Sequence, residues 1–576
     1  MKLLKKIRKI ATLYEPPTGS AVIRLRFPCT IENIREISIL TDFVLAKDKT
    51  YATVEKTLDN LLKLKNYGYS IGESLRIWGN TEYLIEKHRK KIGVLPCVGG
   101  TYLPYQEKGI IYTDMLGGNS LIADEPGLGK TIQALGWVQL RKRLPVLIIT
   151  TASMKEKWAE EANKWTDVGD SYVLYGAKLK KVPDVPIYIV NYDLLRYHVA
   201  FLQSKAFQTV IIDECHKIKN ETAQRTKACM KIVRFIPHHI LLSGTPIEKA
   251  PAELYTSIKI LKPQLFPSKY KYLHRYCNPK HNGFAWTFDG GTNTEELYEL
   301  LCANLMIRRK KKDELKNLPE KTYTFIPLPL TNQKEYDLCE KDFLTYVRNQ
   351  VEEELVQSIS SNLKEEYQRL ITIDEEQLEY LKKVREEKAS PLSQIEALKQ
   401  LCVKGKMEAV IRWIEDFLES GEKLIVFCEH IFVVDALMES FKKVAVKIDG
   451  SVHPKKRKDI VDRFQNDKKI RLFIGNEAAQ EGITLTAASN VAIVEFPWVP
   501  SDLDQRVDRA HRIGQKNAVM VWYLGTRNTI EEKIVRLLDR RRKLVNSVIE
   551  GKGTKSKDLI GELIGLYTKG LTGFKK

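Results

Sequence analysis

The sequence predicts an α/β chain: two doubly wound parallel-sheet lobes with helical insertions, preceded by a small α+β domain. Three observations predict it. Between residues 101 and 262, short apolar runs at 121–123, 146–150, 187–190, 210–212 and 239–242 alternate with helix-spaced stretches such as 153–164. Buried parallel strands with crossover helices read this way. The same alternation returns between 401 and 545, with runs at 423–428, 444–448, 470–474, 491–494 and 519–522. Finally, the first run enters a glycine turn ending in Lys-Thr, with Ile132, Ala134, Leu135 and Val138 at helical spacing beyond it.

The remaining stretches are placed around these lobes. A chain of 576 residues exceeds one hydrophobic core. Residues 1–19 read as an N-terminal extension. In 20–72, Ile23, Leu25 and Phe27 alternate with Arg24 and Arg26, a half-buried strand, and 31–40 and 57–64 are helical. This small domain is either a cap packed on its neighbour or a DNA-contacting accessory. Residues 73–100 form a linker with one helix, and 263–400 a helical insertion or connector. Within it, 340–388 reads as solvated, protruding helices, and 546–576 is a basic tail.

Charge narrows the partners. Lysine and arginine number 93 against 73 acidic residues, a net charge of +20. The excess is dispersed, which favours nucleic acid over a membrane. No apolar run approaches the ~20 residues needed to span a bilayer. Nine cysteines without a C-x-x-C pair argue against a disulfide framework. The expected setting is intracellular: cytoplasm or nucleoid for a microbial or viral source, which the trimmed ends suggest, and nucleus for a eukaryotic one. His274-x-x-Cys277-x-x-x-His281 resembles half a zinc site, but no partner pair lies nearby. Met306-Ile-Arg-Arg-Lys-Lys-Lys312 is expected as an exposed basic helix or connector facing nucleic acid.

Four stretches carry chemistry. In Ile122-Ala-Asp-Glu-Pro-Gly-Leu-Gly-Lys-Thr131, Gly127 and Gly129 let backbone N–H groups approach phosphates. Lys130 reaches the β- and γ-phosphates, and Thr131 offers a hydroxyl to Mg²⁺. Asp124 stands where the strict phosphate-loop pattern has its first glycine. Val210-Ile-Ile-Asp-Glu-Cys-His216 delivers Asp213 and Glu214 at the end of a strand. One carboxylate there holds Mg²⁺ through water and the other polarises an attacking water. Leu241-Leu-Ser-Gly-Thr-Pro246 places hydroxyls to sense the γ-phosphate, though a plain turn looks the same. Asp504-Gln-Arg-Val-Asp-Arg-Ala-His-Arg-Ile-Gly-Gln515 sets Arg506, Arg509 and Arg512 at three-residue spacing, roughly one helix face. They read as arginine fingers for phosphoryl transfer, with surface salt bridges as the rival reading.

Together these residues resemble the Swi/Snf-type ATPases of helicase superfamily two, over about 101–550. DEPGLGKT at 124–131 is one residue from that family's DEMGLGKT. DECHKIKN at 213–220 is similar to its DEAH-type box, SGTP at 243–246 to its third motif, and DRAHRIGQ at 508–515 to its last. PAELYT at 251–256, RYC at 275–277, MIRR at 306–309 with Leu318-Pro319, and AAQEGIT at 478–484 resemble the annealing-helicase branch, the HepA-related proteins. Residues 20–72 are similar in outline to the small DNA-binding domain preceding the motor in that branch.

The resemblance implies two RecA-like lobes and a DNA-stimulated ATPase that translocates on duplex DNA. Its implied work is annealing or remodelling forked or branched DNA in replication, recombination or repair, and its implied cofactors are ATP and Mg²⁺. Gln106 would read adenine, and Asp124, Gly127, Leu128, Gly129, Lys130, Thr131 and Gln505 would line the nucleotide. Thr131 and Asp213 would hold the metal, Glu214 would be the base, and Arg509 and Arg512 the fingers. Thr151, Ser153, Lys155, Asn191, Tyr192, Thr484 and Thr486 would contact the DNA backbone, giving sequence-tolerant, salt-sensitive binding. Glu248-Lys249-Ala250 departs from the Asn-Arg of many relatives, as Cys215 does inside the acidic box. An RNA-directed helicase and a non-catalytic DNA scaffold are the rival readings. The complete set Lys130, Asp213, Glu214, Arg509 and Arg512 opposes the second. A replication or recombination protein is an expected, unidentified partner.

Overall fold

The computed structural model describes residues 9–14, 20–27, 31–46, 51–179, 181–248, 250–281, 286–288, 290–341, 391–480 and 482–550. Its first strands build the small domain: β1 (Ile10–Tyr14), β2 (Val22–Arg26), β3 (Val44–Leu45), β4 (Ala52–Glu55) and β5 (Ser70–Ile71). They form one sheet in the order β3-β4-β2-β1-β5. Helices α1 (Ile31–Ser38) and α2 (Leu58–Asn66) flank it. α2 starts where the Thr57 hydroxyl accepts the Asn60 N–H at 3.2 Å, an N-cap that satisfies an orphan donor. Ile23 and Leu25 are fully buried while Arg24 and Arg26 take the other face, as their alternation requires.

The stretch 1–19 is more than an extension. β1 pairs antiparallel with β2 and buries Ala11, because β2 inside the sheet needs backbone partners on both sides. The linker 73–100 carries α3 (Glu73–Ile92), whose Ile85 packs with Ile111 and Tyr112.

Two units divide the chain, the first running to Pro319 and also taking in His511–Lys516. Its helices α4 (Pro104–Met115), α5 (Lys130–Arg141) and α6 (Lys155–Trp165) accompany β6 (Asn119–Ile122), β7 (Val146–Thr150), β8 (Ser171–Val173), β9 (Ile187–Asn191), β10 (Thr209–Asp213) and β11 (His238–Leu242). A hairpin of β12 (Lys280–His281) and β13 (Trp286–Thr287) follows, then β14 (Met306–Ile307). The large sheet runs β14-β6-β11-β10-β7-β9-β8, parallel throughout. β7, β9 and β10 are buried along their whole length, which is why they read as continuous apolar runs. β8 and β14 went unread because two or three residues carry no periodicity.

The second unit has its own parallel sheet: β15 (Lys321–Pro327), β16 (Leu424–Phe427), β17 (Ala445–Ile448), β18 (Leu472–Gly475), β19 (Asn490–Ile493) and β20 (Val519–Gly525). The order is β15-β20-β19-β16-β18-β17. Here the expected boundaries need correction. β14 and β15 both lie in the stretch read as a helical insertion, and each serves as an edge strand of a different sheet. Edge strands are half-exposed, so β15 lacks a strong apolar run. The helix Pro391–Glu419 runs across the expected boundary at 401. It carries Lys406, fully buried, whose Nζ donates to Val494 O at 2.6 Å, Leu524 O at 2.7 Å and Glu531 Oε1 at 2.6 Å. The helices expected over 340–388 and the tail beyond 550 lie almost wholly outside the described residues. Among the described residues, no helix is long and apolar enough to cross a membrane.

Candidate nucleotide site

β6 delivers the chain to the glycine turn at the carboxyl edge of the first sheet, where doubly wound folds place their ligands. Gly127 (φ 90°) and Gly129 (φ 75°) adopt the left-handed conformation that glycine tolerates, and α5 begins at Lys130. A Cβ on Gly129 would lie 2.5 Å from Gln106 Nε2, so a larger residue would displace that side chain as well as strain the turn. Gln106 is buried at the start of α4. Its Oε1 accepts the Leu103 N–H at 2.9 Å, and its Nε2 donates to Leu128 O at 3.4 Å. The expected adenine reader thus rests directly on the loop.

Lys130 Nζ donates to Asp124 O at 2.9 Å. Burial pushes its ammonium below the ordinary lysine range, against the opposing pull of Glu214, Asp124 and Asp213. A half-buried cation with carboxylates nearby suits a polyphosphate bound with a divalent ion. The described residues hold no cluster of three His, Cys, Asp or Glu for a protein-only metal site. Asp213 and Glu214 bring two carboxylates within electrostatic reach of Lys130.

β10 brings in Asp213, whose Oδ2 accepts from Trp158 Nε1 at 2.7 Å and Thr150 Oγ1 at 2.9 Å. Glu214 then sits at φ 48°, ψ 54°, a left-handed conformation costly for a residue with a side chain. The reversal brings Glu214 Oε2 to 3.3 Å from His216 Nδ1. His216 Nδ1 lies 3.1 Å from Ser243 Oγ, and its Nε2 lies 3.5 Å from Glu248 Oε1. Burial pushes the Glu214 carboxyl up, but the His216 hydrogen bond and charge, with Lys130 and Lys217, outweigh it and hold it at about 2. Burial lowers His216 in turn, while Glu214 and Glu248 raise it by more, so its value lies above the ordinary 6.5. The acidic turn and the Ser-Gly-Thr-Pro turn are joined through one imidazole. Glu248, at the departure from the family pattern, is engaged by Lys219 and His216, and Lys249 lies outside the described residues.

Several expectations change. The Asp124 carboxylate does not line the nucleotide loop: it is fully buried and held by Gln133 and Arg309. The run 306–312 is not an exposed basic helix facing nucleic acid. Arg308 Nη1 donates to Ala123 O at 2.6 Å and Gly244 O at 3.1 Å, and the Lys311 N–H to Glu125 Oε2 at 2.8 Å. The Arg308 guanidinium is thus held by carbonyls from the approach to the glycine loop and from the Ser-Gly-Thr-Pro turn, while Glu125 holds only the Lys311 backbone. Buried Lys311 also donates through Nζ to His511 O at 2.7 Å. A Cβ on Gly127 would lie 3.4 Å from Arg512 Cβ, so Arg512 neighbours the loop within this unit.

Of the expected DNA contacts, three side chains are buried. Lys155 is 6% exposed, with Nζ donating to Leu174 O at 2.9 Å. Tyr192 is 3% exposed, with its hydroxyl on the Asp213 carbonyl, and Asn191 is buried at the end of β9. Thr151 and Ser153 are half-buried, their hydroxyls 3.1 Å apart. In the second unit Thr484 and Thr486 are half-buried, and Thr486 Oγ1 accepts from Gln465 Nε2 at 3.3 Å.

The three arginines do not share a helix face. The helix Pro500–Val507 carries Arg506 alone, along with buried Gln505. Arg509 lies beyond it, where its carbonyl accepts the Leu485 N–H at 2.9 Å and so leaves the helix ladder. Arg506 is buried and donates to Glu429 at 3.0 Å. In the His274-x-x-Cys277-x-x-x-His281 stretch, Cys277 is fully buried in the first unit's core. Trp158, Arg308 and Arg309 were not foreseen. The last two stood in a quoted motif, and nothing local marks Trp158.

The SNF2-related domain model matches residues 80–406, and the helicase conserved C-terminal domain model matches 405–514. The first spans more than half of the chain, which therefore belongs to the SNF2-related family. The mouse protein named DNA annealing helicase and endonuclease ZRANB3 is 32% identical over 473 residues, covering 79% of this chain and 41% of that protein. A Caenorhabditis elegans homologue of SWI/SNF-related matrix-associated actin-dependent regulator of chromatin subfamily A-like protein 1 is 30% identical over 460 residues, covering 77% and 61% respectively. The chain thus spans less than two thirds of these relatives' length. A Sulfolobus solfataricus SWI2/SNF2 ATPase core solved with dsDNA is 24% identical, covers 80% of this chain and 96% of its own, and has a TM-score of 0.37.

Proposed function

We propose that this protein is an ATP-driven motor acting on DNA, with forked or branched duplexes as its working substrate. The observation that carries the reading is the convergence of Lys130, Asp213 and Glu214 at one sheet edge, with Glu214 tied through His216 to Ser243. In this reading Lys130 neutralises phosphate charge, and Thr131 and Asp213 hold Mg²⁺, which supplies further neutralisation when bound. Gln106 orients the base, with Gln505 assigned to the same nucleotide on its motif. Glu214, ionised at neutral pH, accepts the proton of the attacking water. Arg509 and Arg512 are assigned as arginine fingers on their motif. Ser243 senses the acidic turn through His216 and carries its state into the following segment.

DNA is favoured over RNA by the relatives' names and over a membrane by the charge of +20. Backbone contacts are assigned to Thr151, Ser153, Thr484 and Thr486. Such a motor works where the genome is, in a microbial nucleoid or a eukaryotic nucleus. The test is ATP turnover with duplex, single-stranded, forked and four-way DNA and with RNA. Stimulation strongest with forks or junctions is expected, and stimulation by RNA alone overturns the assignment. Lys130→Ala and Glu214→Gln should each lower turnover by about 10²- to 10⁴-fold in folded protein. Full turnover in Glu214→Gln removes it as the base.

A further inference from the structure

The geometry points to Arg309 as a positioning residue that locks the adenine-reading end of the site to its phosphate-binding end. The inference rests on the ATP reading above and adds a residue from 185 positions further along the chain. Arg309 Nε donates to Asp124 Oδ1 at 3.0 Å and Nη2 to Asp124 Oδ2 at 2.5 Å, a bidentate fork on a fully buried carboxylate. The backbone N–H of Arg309 adds a third bond to Asp124 Oδ1 at 3.0 Å. Nη2 also donates to Gln133 Oε1 at 2.6 Å, and Gln133 Nε2 returns to Asp124 Oδ2 at 2.9 Å. Nη1 donates to the carbonyl of Tyr105, the residue before Gln106.

Three elements therefore meet on one guanidinium. Tyr105 belongs to α4, which carries Gln106. Asp124 belongs to the glycine loop, and its own carbonyl holds Lys130. Gln133 lies one turn into α5, whose N-terminus carries Lys130 and Thr131. Every contact is polar and short, and the shared Asp124 carboxylate is fully buried, so the network fixes relative position more sharply than apolar packing does. None of these groups is positioned as a nucleotide ligand in the reading above. Arg309 acts through Gln106 and the loop.

Gly109 gives an independent handle. A Cβ there would meet Gln133 Oε1 at 1.9 Å and Arg309 Nη2 at 2.8 Å. Alanine for glycine ordinarily favours a helix, so Gly109→Ala disturbs the clamp while supporting α4 itself.

The test is equilibrium binding of ribose-labelled fluorescent ATP with Mg²⁺ to the whole protein, with ATP and GTP as competitors. Arg309→Gln and Gly109→Ala should weaken ATP binding by about ten- to a hundredfold, as misplacement of a site does, and erase most of the preference for ATP over GTP. Arg309→Lys keeps the charge but loses the fork, so it should fall between wild type and Arg309→Gln. It also decides the matter should Arg309→Gln not fold. Folded variants that melt earlier yet keep wild-type affinity and base preference overturn the inference, because the clamp is then structural only. Absence of DNA stimulation in the wild type overturns the motor reading and leaves this binding test intact.

Discussion

Trp158 donates its indole N–H to Asp213 Oδ2 at 2.7 Å, fixing a carboxylate at the sheet edge from a neighbouring helix. A hydrogen bond to a charged group contributes about 1.5–3 kcal/mol. Trp158→Phe keeps most of the ring volume and removes the donor. Unfolding free energy should fall by about 1–3 kcal/mol, and half-maximal ATPase should need more Mg²⁺. Denaturant melts and a Mg²⁺ titration check this, and an unchanged titration would show that Asp213 is held without Trp158.

His216 is expected to set the acid limb of activity through Glu214. Glu214 stands at about 2, below its ordinary 4.5, so its stabilising share is complete above 4.5 and is lost as pH falls through 2. His216 is raised above 6.5, so its share is complete below 6.5 and fades as pH rises through the raised value. The pair contributes most between 4.5 and 6.5. His216→Gln removes the strongest opposition to burial at Glu214, so the acid limb of kcat/KM should move to higher pH. A pH–rate profile that coincides with the wild type would refute the pairing.

Burial of Lys155 and Tyr192 predicts what DNA binding will not show. Replacing a lysine on a phosphate reduces the slope of log affinity against log salt by about one. Lys155→Gln should leave that slope unchanged, its effect falling on stability because Leu174 O loses its donor. Tyr192→Phe should likewise spare DNA affinity while lowering turnover through the Asp213 backbone. A reduced salt slope in Lys155→Gln would mean that the side chain leaves its buried bond to reach DNA.

The second unit has a separate point of fragility. Lys406→Met leaves Glu531 buried with its cationic partner gone, a change that typically costs about 3–5 kcal/mol. Lys406→Met/Glu531→Gln should recover part of that loss. Unfolding followed by a probe in the second unit, such as Trp522 fluorescence, measures both.

Much of the site was legible because its chemistry is local. The glycine turn needs positive φ at Gly127 and Gly129, and an apolar strand must precede Asp213, so both are written in adjacent residues. The arginine periodicity misled for the opposite reason. Spacing of three suits a helix face, but the Leu485 N–H captures the Arg509 carbonyl and the helix ends at Val507. Nothing near Arg509 announces a partner 24 positions earlier.

What the sequence by itself determined was the repeated α/β layout, the two sheets' main strands and the places of the glycine turn and the acidic turn at strand ends. Each follows from contiguous periodicity or from a conformation only certain residues adopt. What tertiary structure alone decided was the destination of the charges. Arg308, Arg309 and Lys311 look like a solvated basic run, and Lys155 like a phosphate contact, until the fold brings carbonyls and carboxylates to them. A cation's solvation depends on which groups surround it in space, and those groups come from segments far apart in the chain.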